Sequence, residues 1–356
     1  MINYLKNEEK IILSLRALYS KYGYLPYKMN KFEEYDLYAK NKEFLIGDGV
    51  ITFTDTHGKL LALKPDVTLS IIKNATESKG VKNKVYYSEN VYRISGKTRE
   101  YKEIMQTGLE CVGDLDIYDT YEVITLAKKS LETVSKDYVL EISHMGILSS
   151  LVDSVSTNGD FRQEVLDSIK KKSKHELKAT LQKYEVNSEK AELLCDFVSI
   201  YGEPSEVITS LEKMDVNAEF IAATNELKEL ATLLGDSKVR FDFSIVNDMN
   251  YYNGIVFNGF LSGVCECVLF GGVYDKLLSK MNKRSKGIGF AIYTDLLEGF
   301  HEKQSAYDVD TLLLYSESTD MLTLTKEIDR LQKEGKSVSA QKSIPEKLRF
   351  KEKVEI

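Results

Sequence analysis

The sequence has few cysteines, and their spacing argues against a metal centre. Cys111, Cys195, Cys265 and Cys267 form no CxxC pair and no Cys/His cluster with the spacing of zinc ligands. Cys265 and Cys267 lie two residues apart in a run that predicts a strand, so both side chains would lie on one face as a buried pair of thiols. We therefore expect no metal ion.

Long apolar runs are absent as well. The N-terminal residues MINYLKNEEK contain no hydrophobic signal region, and no later run approaches the roughly 20 apolar residues that cross a bilayer. These absences favour a cytoplasmic protein with no membrane partner.

Clustered positive charge and a dinucleotide-binding motif are also missing. The chain has a formal net charge of −7, and its lysines are scattered among acids. Neutralised phosphates supply most of the affinity for nucleic acid, and the densest basic run, Lys170–Lys174, predicts a solvated helix end. Gly271-Gly272 and Gly287–Gly289 do not form a GxGxxG pattern. We therefore expect no nucleic-acid partner and no cofactor.

The 356 residues are enough for a sizeable core and more than one domain, since single domains have roughly 100 to 200 residues. Helical spacing predicts a first helix over 7–22, and alternation over 50–63 predicts a hairpin. A helix is predicted to begin near Pro65. Further strands are predicted at 84–94, 101–113, 138–142, 238–246, 254–260 and 264–270, and further helices at 117–134 and from Gly289.

Two segments differ from this pattern. Residues 145–235 are rich in Lys, Glu and Leu with helical periodicity, which predicts an inserted helical subdomain. The tail contains a predicted strand over 309–315 and a predicted helix near 319–333, followed by Ser337-Val338-Ser339 and a charged terminus. We therefore predict a core domain over 1–304 and a short α/β segment over 305–356.

The most informative stretch is Val91–Glu110, with the sequence VYRISGKTREYKEIMQTGLE. It reads as two amphipathic strands, with Arg93 on the first and Gln106 and Glu110 on the second. Gln106 and Glu110 are four residues apart, so a regular strand points both to one face, and Gly108 between them leaves room for a ligand. Taken alone, Glu110 is better explained as a solvent-facing carboxylate, and Tyr251-Tyr252 as a core aromatic pair.

This stretch closely resembles motif 2 of the class II aminoacyl-tRNA synthetases. Read with Leu63–Thr68, Asn250–Phe257 and Gly271–Asp275, it is similar to the histidyl-tRNA synthetases, over roughly residues 5–300. The joint occurrence of these motifs in order favours a functional site. The resemblance implies an α+β fold: a class II synthetase-like antiparallel sheet with flanking helices, the helical insertion and the short C-terminal α/β piece. That piece has about half the length of a tRNA anticodon-binding domain.

The resemblance also implies that a pocket for histidine is retained. Its residues supply charged, hydrogen-bonding or aromatic side chains: Asp66, Thr68, Arg93, Gln106, Glu110, Tyr252 and Tyr274. Asp66, Thr68 and Gln106 would hold the α-ammonium, and Arg93 would meet the carboxylate. Glu110 and Tyr252 would bracket the imidazole, and Tyr274 would close the wall.

The groups that meet ATP in those synthetases are missing. Adenylation builds charge on the α-phosphate, and this charge must be met by preorganised guanidinium groups. Two positions that hold such arginines in the family read Asn247 and Leu296 here. Ser95 stands where a glutamate contacts adenine, and Glu100 replaces a basic residue. Loss of one such donor typically costs ~2.7 to 4 kcal/mol, so we expect no adenylation and no catalytic residues.

A retained amino-acid pocket beside a lost ATP site resembles the regulatory subunits of ATP phosphoribosyltransferase, which are synthetase paralogues. The resemblance implies a non-catalytic chain that acts in the first step of histidine biosynthesis. Such a chain activates the short-form catalytic subunit and relays feedback inhibition by histidine. A homodimer within a hetero-oligomer is expected through the motif 1 region, Gly23–Glu33, although Asn30 replaces its usual proline.

Two alternatives remain. The first is an active enzyme, either a divergent histidyl-tRNA synthetase or a ligase that attaches histidine to another acceptor; Asn247, Leu296 and the short tail argue against it. The second is a tRNA-sensing binding module, which the acidic balance of the chain disfavours.

Overall fold

The computed structural model describes residues 5–42, 45, 49–95, 98–235, 238–246, 251–297, 300 and 306–356. The chain divides into two compact units, Met1–Phe300 and His301–Ile356. In the described residues, no helix combines the length and the apolar character that crossing a membrane requires.

The described helices of the first unit are α1 (Asn7–Lys21), α2 (Tyr35–Ala39), α3 (Thr68–Asn74), α4 (Ile117–Val134), α5 (Met145–Val155), α6 (Gly159–Lys170), α7 (Lys174–Lys183), α8 (Ser188–Phe197), α9 (Pro204–Leu211), α10 (Ala218–Leu234) and α11 (Asp275–Lys280). Its described strands are β1 (Leu25–Pro26), β2 (Phe32–Glu34), β3 (Thr52–Thr54), β4 (Leu60–Leu63), β5 (Lys82–Ile94), β6 (Tyr101–Gly113), β7 (Tyr138–His144), β8 (Tyr201–Gly202), β9 (Val239–Asp242), β10 (Ile255–Leu261), β11 (Leu269–Val273) and β12 (Lys286–Tyr293).

Nine of these strands form one sheet in the order β1-β5-β6-β12-β11-β10-β7-β9-β8. Its central pairs from β5 to β7 are antiparallel, whereas β1 runs parallel to β5 and β7 runs parallel to β9. The long hairpin of β5 and β6 pairs along its whole length, from Lys82 opposite Gly113 to Ile94 opposite Tyr101. A smaller antiparallel sheet has the order β2-β4-β3.

Alternation along β6 separates two packing environments. Leu109 and Cys111 are buried in the large apolar cluster that includes side chains of α1 and α4. Gln106 and Glu110 have the opposite parity and point to the other face. On that face Val112 packs with side chains of β4, α3 and α11 in a second cluster. The two polar residues are therefore enclosed by protein rather than exposed to water.

The helices predicted over 145–235 are present as α5 to α10. Local sequence explains several of their ends. The side-chain oxygens of Asn158, Ser173, Asn187 and Asn217 accept backbone N–H bonds in the first turns of α6, α7, α8 and α10. Gly235 ends α10 with a φ of 50°, a left-handed conformation that costs glycine little.

The second unit contains β13 (Val309–Leu314), α12 (Met321–Lys333), β14 (Val338–Gln341) and β15 (Phe350–Glu355). The three strands are parallel, with β13 in the centre. Asp320 caps α12 by accepting a hydrogen bond from the N–H of Thr323 at 2.9 Å. The last strand was not predicted, because its charged and mostly exposed residues give no apolar alternation.

Three local predictions are wrong. No helix starts at Gly289: the segment belongs to β12, which pairs with β6 and β11. The strand predicted at 264–270 begins only at Leu269. Cys265 and Cys267 therefore lie in the connection before it, and Cys265 is exposed, so they are not a buried pair.

Candidate functional site

A narrow pocket lies on the face of β6 that is turned away from α1 and α4. All seven side chains predicted from the resemblance line it: Asp66, Thr68, Arg93, Gln106, Glu110, Tyr252 and Tyr274. Its empty volume is about 410 Å³ including the mouth, so the pocket suits a small ligand.

Glu110 is the most enclosed charged group of the pocket. It is only 2% exposed. Its Oε1 accepts a hydrogen bond from the hydroxyl of Thr68 at 2.7 Å, and its Oε2 accepts one from the hydroxyl of Tyr274 at 2.6 Å. Burial raises the pKa of Glu110 to about 8, although both hydrogen bonds act in the opposite direction. Glu110 is thus a rigidly held carboxyl group whose charge changes near neutral pH.

Asp66, in the loop before α3, and Thr68, the first residue of α3, make contacts that the sequence did not predict. Oδ1 of Asp66 accepts the N–H of Leu69 at 2.9 Å, so one oxygen of this buried carboxyl group caps the helix. Burial raises the pKa of Asp66, and the nearby Arg93 opposes that shift. Thr68 donates its hydroxyl to Glu110. The hydroxyl oxygen of Thr68 can still accept a hydrogen bond from a ligand.

Arg93 is held by two acceptors. Its Nε donates to the carbonyl oxygen of Pro65 at 2.9 Å, and its Nη1 donates to the hydroxyl of Tyr293 at 3.1 Å. The same loop is anchored by Lys64, whose ammonium lies 2.5 Å from Oε2 of Glu89 and is fully buried. A guanidinium has five N–H donors, so Arg93 can use others to meet a ligand's carboxylate.

Three tyrosines form the aromatic wall. The ring centroids of Tyr251 and Tyr252 are 4.6 Å apart, and those of Tyr251 and Tyr274 are 6.1 Å apart. Tyr251 is buried in the second apolar cluster, whereas Tyr252 is half-buried. Burial raises the pKa of each of these hydroxyls, so all three remain protonated donors.

The space beside Gly108 is not left for a ligand. A Cβ atom at Gly108 would lie 2.2 Å from the carbonyl oxygen of Phe290 and 2.8 Å from the hydroxyl oxygen of Tyr87, which stands opposite on β5. The glycine is therefore needed for the close approach of β12 and of Tyr87. Tyr87 on β5, Phe270 on β11 and Tyr293 on β12 also line the pocket and were not predicted from the sequence.

The residues at the positions that meet ATP in the synthetases have different surroundings in this structure. Leu296 is half-buried and packs against the large apolar cluster. Ser95 donates its N–H to the carbonyl oxygen of Glu100 at 2.8 Å within the hairpin, and the side chain of Glu100 is exposed. Asn247 lies outside the described residues. Within the described ranges there is no group of three His, Cys, Asp or Glu side chains that could hold a metal ion.

A mainly antiparallel sheet that carries a polar pocket on one face, flanked by helices, defines an α+β domain of the class II aminoacyl-tRNA synthetase type. Residues 3–297 match the protein family described as Histidyl-tRNA synthetase, and the chain belongs to this family.

Proteins named as regulatory subunits and proteins named as synthetases both share this fold. An ATP phosphoribosyltransferase regulatory subunit of Alkaliphilus metalliredigens is 28% identical over 331 residues, which cover 88% of this chain and 83% of the relative. The crystal structure of an ATP phosphoribosyltransferase regulatory subunit/histidyl-tRNA synthetase from Bacillus halodurans has a TM-score of 0.79 and 21% identity, covering 100% of this chain and 96% of the other. A histidyl-tRNA synthetase from Nostoc sp. PCC 7120 has a TM-score of 0.75 and 18% identity, covering 98% and 88%. Fold alone does not separate a regulator from a synthetase, so the site must.

Proposed function

We propose that this chain is the non-catalytic regulatory subunit of ATP phosphoribosyltransferase in the first step of histidine biosynthesis. It activates the short-form catalytic subunit, which transfers the phosphoribosyl group to ATP, and it relays inhibition by histidine. The relative from Alkaliphilus metalliredigens, which covers most of the chain, carries the regulatory-subunit name. We further propose a cytoplasmic protein that forms a homodimer within a hetero-oligomer.

The observation that carries the proposal is the contrast between two parts of the site. The residues expected to bind histidine line one pocket, and they include the buried, doubly hydrogen-bonded Glu110. At the motif 3 position expected to hold an arginine for ATP, Leu296 packs into the apolar cluster instead. A chain with this combination can bind the amino acid but lacks a transition-state donor that adenylation requires.

Within this proposal, the pocket residues have separate roles. Arg93 binds the carboxylate of histidine, and Asp66 with Gln106 binds its ammonium. Oδ1 of Asp66 caps α3, so we assign the ammonium contact to Oδ2. Glu110 and Tyr252 bind the imidazole, while Thr68 and Tyr274 fix the carboxyl group of Glu110.

Histidine can inhibit only if it binds two states of the assembly with different affinity. Typical couplings of this kind are about 1 to 3 kcal/mol. The hydrogen bonds that join Glu110 to Thr68 and Tyr274 connect the pocket to α3 and to the start of α11. These two helices are the elements through which we propose that the occupied pocket influences the partner.

The test is phosphoribosyl-ATP formation by a short-form catalytic subunit alone, with this chain, and with this chain plus increasing histidine. We expect activity to rise on mixing and to fall with histidine. In the Glu110→Ala variant, activation should persist while inhibition needs more histidine. A matched control is Glu103→Ala, which removes an exposed carboxylate on the same strand.

No activation by the wild-type chain would contradict the proposal. ATP–pyrophosphate exchange dependent on histidine would then establish the active-enzyme alternative. Salt-dependent binding of tRNA without exchange would instead support the tRNA-sensing alternative.

A further inference from the structure

Strand pairing lays out the pocket from one end to the other. On β6 and β12, Glu110 stands opposite Gly289 and Gln106 stands opposite Tyr293. Directly opposed residues of antiparallel strands point to the same face, and four residues along a strand span about 13 Å. Glu110 therefore marks one end of the pocket, and Tyr293 marks the other.

The two ends differ in the groups that occupy them. At the Glu110 end, Gly289 has no side chain, and a Cβ atom there would lie 1.8 Å from Oε2 of Glu110. At the opposite end, the ring of Tyr293 packs edge-on against Phe270, with centroids 5.3 Å apart and an interplanar angle of 78°. The first end contains the carboxyl group of Glu110 over a glycine, whereas the second contains an aromatic ring supported from behind.

Tyr293 also fixes the cation of the pocket. Its hydroxyl accepts a hydrogen bond from Nη1 of Arg93, and the guanidinium carbon lies 5.9 Å from the centre of its ring. A residue without a side chain at this position of β12 would leave the space beside the arginine open.

We propose that Tyr293 is a specificity-determining residue that limits the pocket to amino acids with a free carboxylate. Its hydroxyl holds Arg93 toward that carboxylate, and its ring fills the space that an ester, amide or phosphoanhydride at the same carbon would need. This inference rests on the proposed histidine site and adds the reason why a bound amino acid is sensed rather than activated.

The test compares two ligands on the full-length protein by isothermal titration: L-histidine and L-histidine β-naphthylamide, which carries a bulky group at the carboxyl carbon. We expect the wild type to bind histidine and to reject the amide. Y293G should improve amide binding relative to histidine by roughly tenfold or more, the scale on which a pocket separates ligands by size. Y293F should still reject the amide and should bind histidine about three- to tenfold more weakly, because Arg93 loses one acceptor.

The outcomes separate this inference from the function proposed above. An unchanged ratio of amide to histidine affinity in Y293G, with histidine still bound, would overturn the role of Tyr293 alone. No histidine binding by the wild type would overturn it together with the pocket. Activation of the catalytic subunit by the wild-type chain is a separate readout, and it tests the proposed function independently of Tyr293. Y293A provides the same comparison of ligands should circular dichroism show that Y293G is unfolded.

Discussion

The hydroxyl of Tyr274 donates a hydrogen bond of 2.6 Å to the carboxyl group of Glu110, and 164 residues separate the two in sequence. Burial raises the pKa of Tyr274, so the donor keeps its proton. Thr68 supplies a second donor to the same carboxyl group. The buried acceptor at this end of the pocket is therefore fixed by two elements that are distant in the chain, the start of α3 and the residue before α11.

The raised pKa of Glu110 predicts a pH dependence of stability. Its value in the folded protein is about 8, against an ordinary value of 4.5, so the folded state favours the protonated form. This contribution is complete below about pH 4.5 and is lost as the pH rises through about 8. We expect the urea midpoint of the wild type to fall over this window relative to that of Glu110→Gln, which cannot titrate. Parallel pH profiles for the two proteins would contradict the prediction.

The Tyr274–Glu110 bond predicts a cost for removing the hydroxyl. In Tyr274→Phe the buried Oε2 of Glu110 loses its donor, and an unsatisfied buried acceptor typically costs about 1 to 3 kcal/mol in the free energy of unfolding. Tyr118→Phe is the matched control, since Tyr118 is 57% exposed and its acceptor Glu122 keeps Tyr24 and Lys84 as partners. We expect little change there in urea unfolding. Equal losses in both variants would show that leaving the buried acceptor without its donor is unimportant.

Much of the fold followed from periodicity in the sequence. The boundaries of α4 and β6 agree with the prediction, and β5 begins only two residues earlier than predicted. These elements have long, regular patterns, and β5 and β6 are joined by a short connection, so local sequence and tertiary pairing agree. The segment after Gly289 was predicted to be a helix, but it is a strand. It pairs with β6 and β11, and its own sequence does not show that these strands draw it into the sheet.

The site was predictable in composition but not in contacts. The resemblance supplied residue types, and parity along β6 placed Gln106 and Glu110 together. Neither the resemblance nor the parity showed that Thr68 bonds to Glu110, or that Tyr87 occupies the space beside Gly108. Both contacts join separate elements across the sheet face, so they depend on strand register and loop position rather than on any local pattern.

Gly289 should be necessary for the position of Glu110. A methyl group at Gly289 would collide with Oε2 of Glu110 and with the carbonyl oxygen of Leu109, which is backbone and cannot move aside easily. We expect Gly289→Ala to weaken histidine binding strongly in isothermal titration. The control is Gly159→Ala, because nothing lies within 4 Å of a Cβ atom there. Retained histidine affinity in a folded Gly289→Ala protein would show that Glu110 does not need this position to bind the ligand.

The buried pair of Lys64 and Glu89 should stabilise the loop that carries Pro65 and Asp66. The side chain of Lys64 is 1% exposed and that of Glu89 is 17% exposed. Glu89→Gln leaves an ammonium buried without its counter-charge, and breaking such a pair typically costs about 3 to 5 kcal/mol. The double variant Lys64→Met/Glu89→Gln removes the uncompensated charge, so we expect urea unfolding to show a large part of the stability restored.

An ion pair with a similar N–O distance at the surface provides the control for the Lys64 and Glu89 variants. Lys59 and Glu34 are 2.6 Å apart, but their side chains are 54% and 56% exposed. Water and salt screen such a pair, so Lys59→Met should leave the unfolding midpoint nearly unchanged.

The variants also report on the pocket. Arg93 donates to the carbonyl oxygen of Pro65 next to Lys64, so Glu89→Gln should weaken histidine binding while Lys59→Met does not. Equal effects of the two single variants on stability and on histidine affinity would show that the buried pair has no special role in positioning the loop.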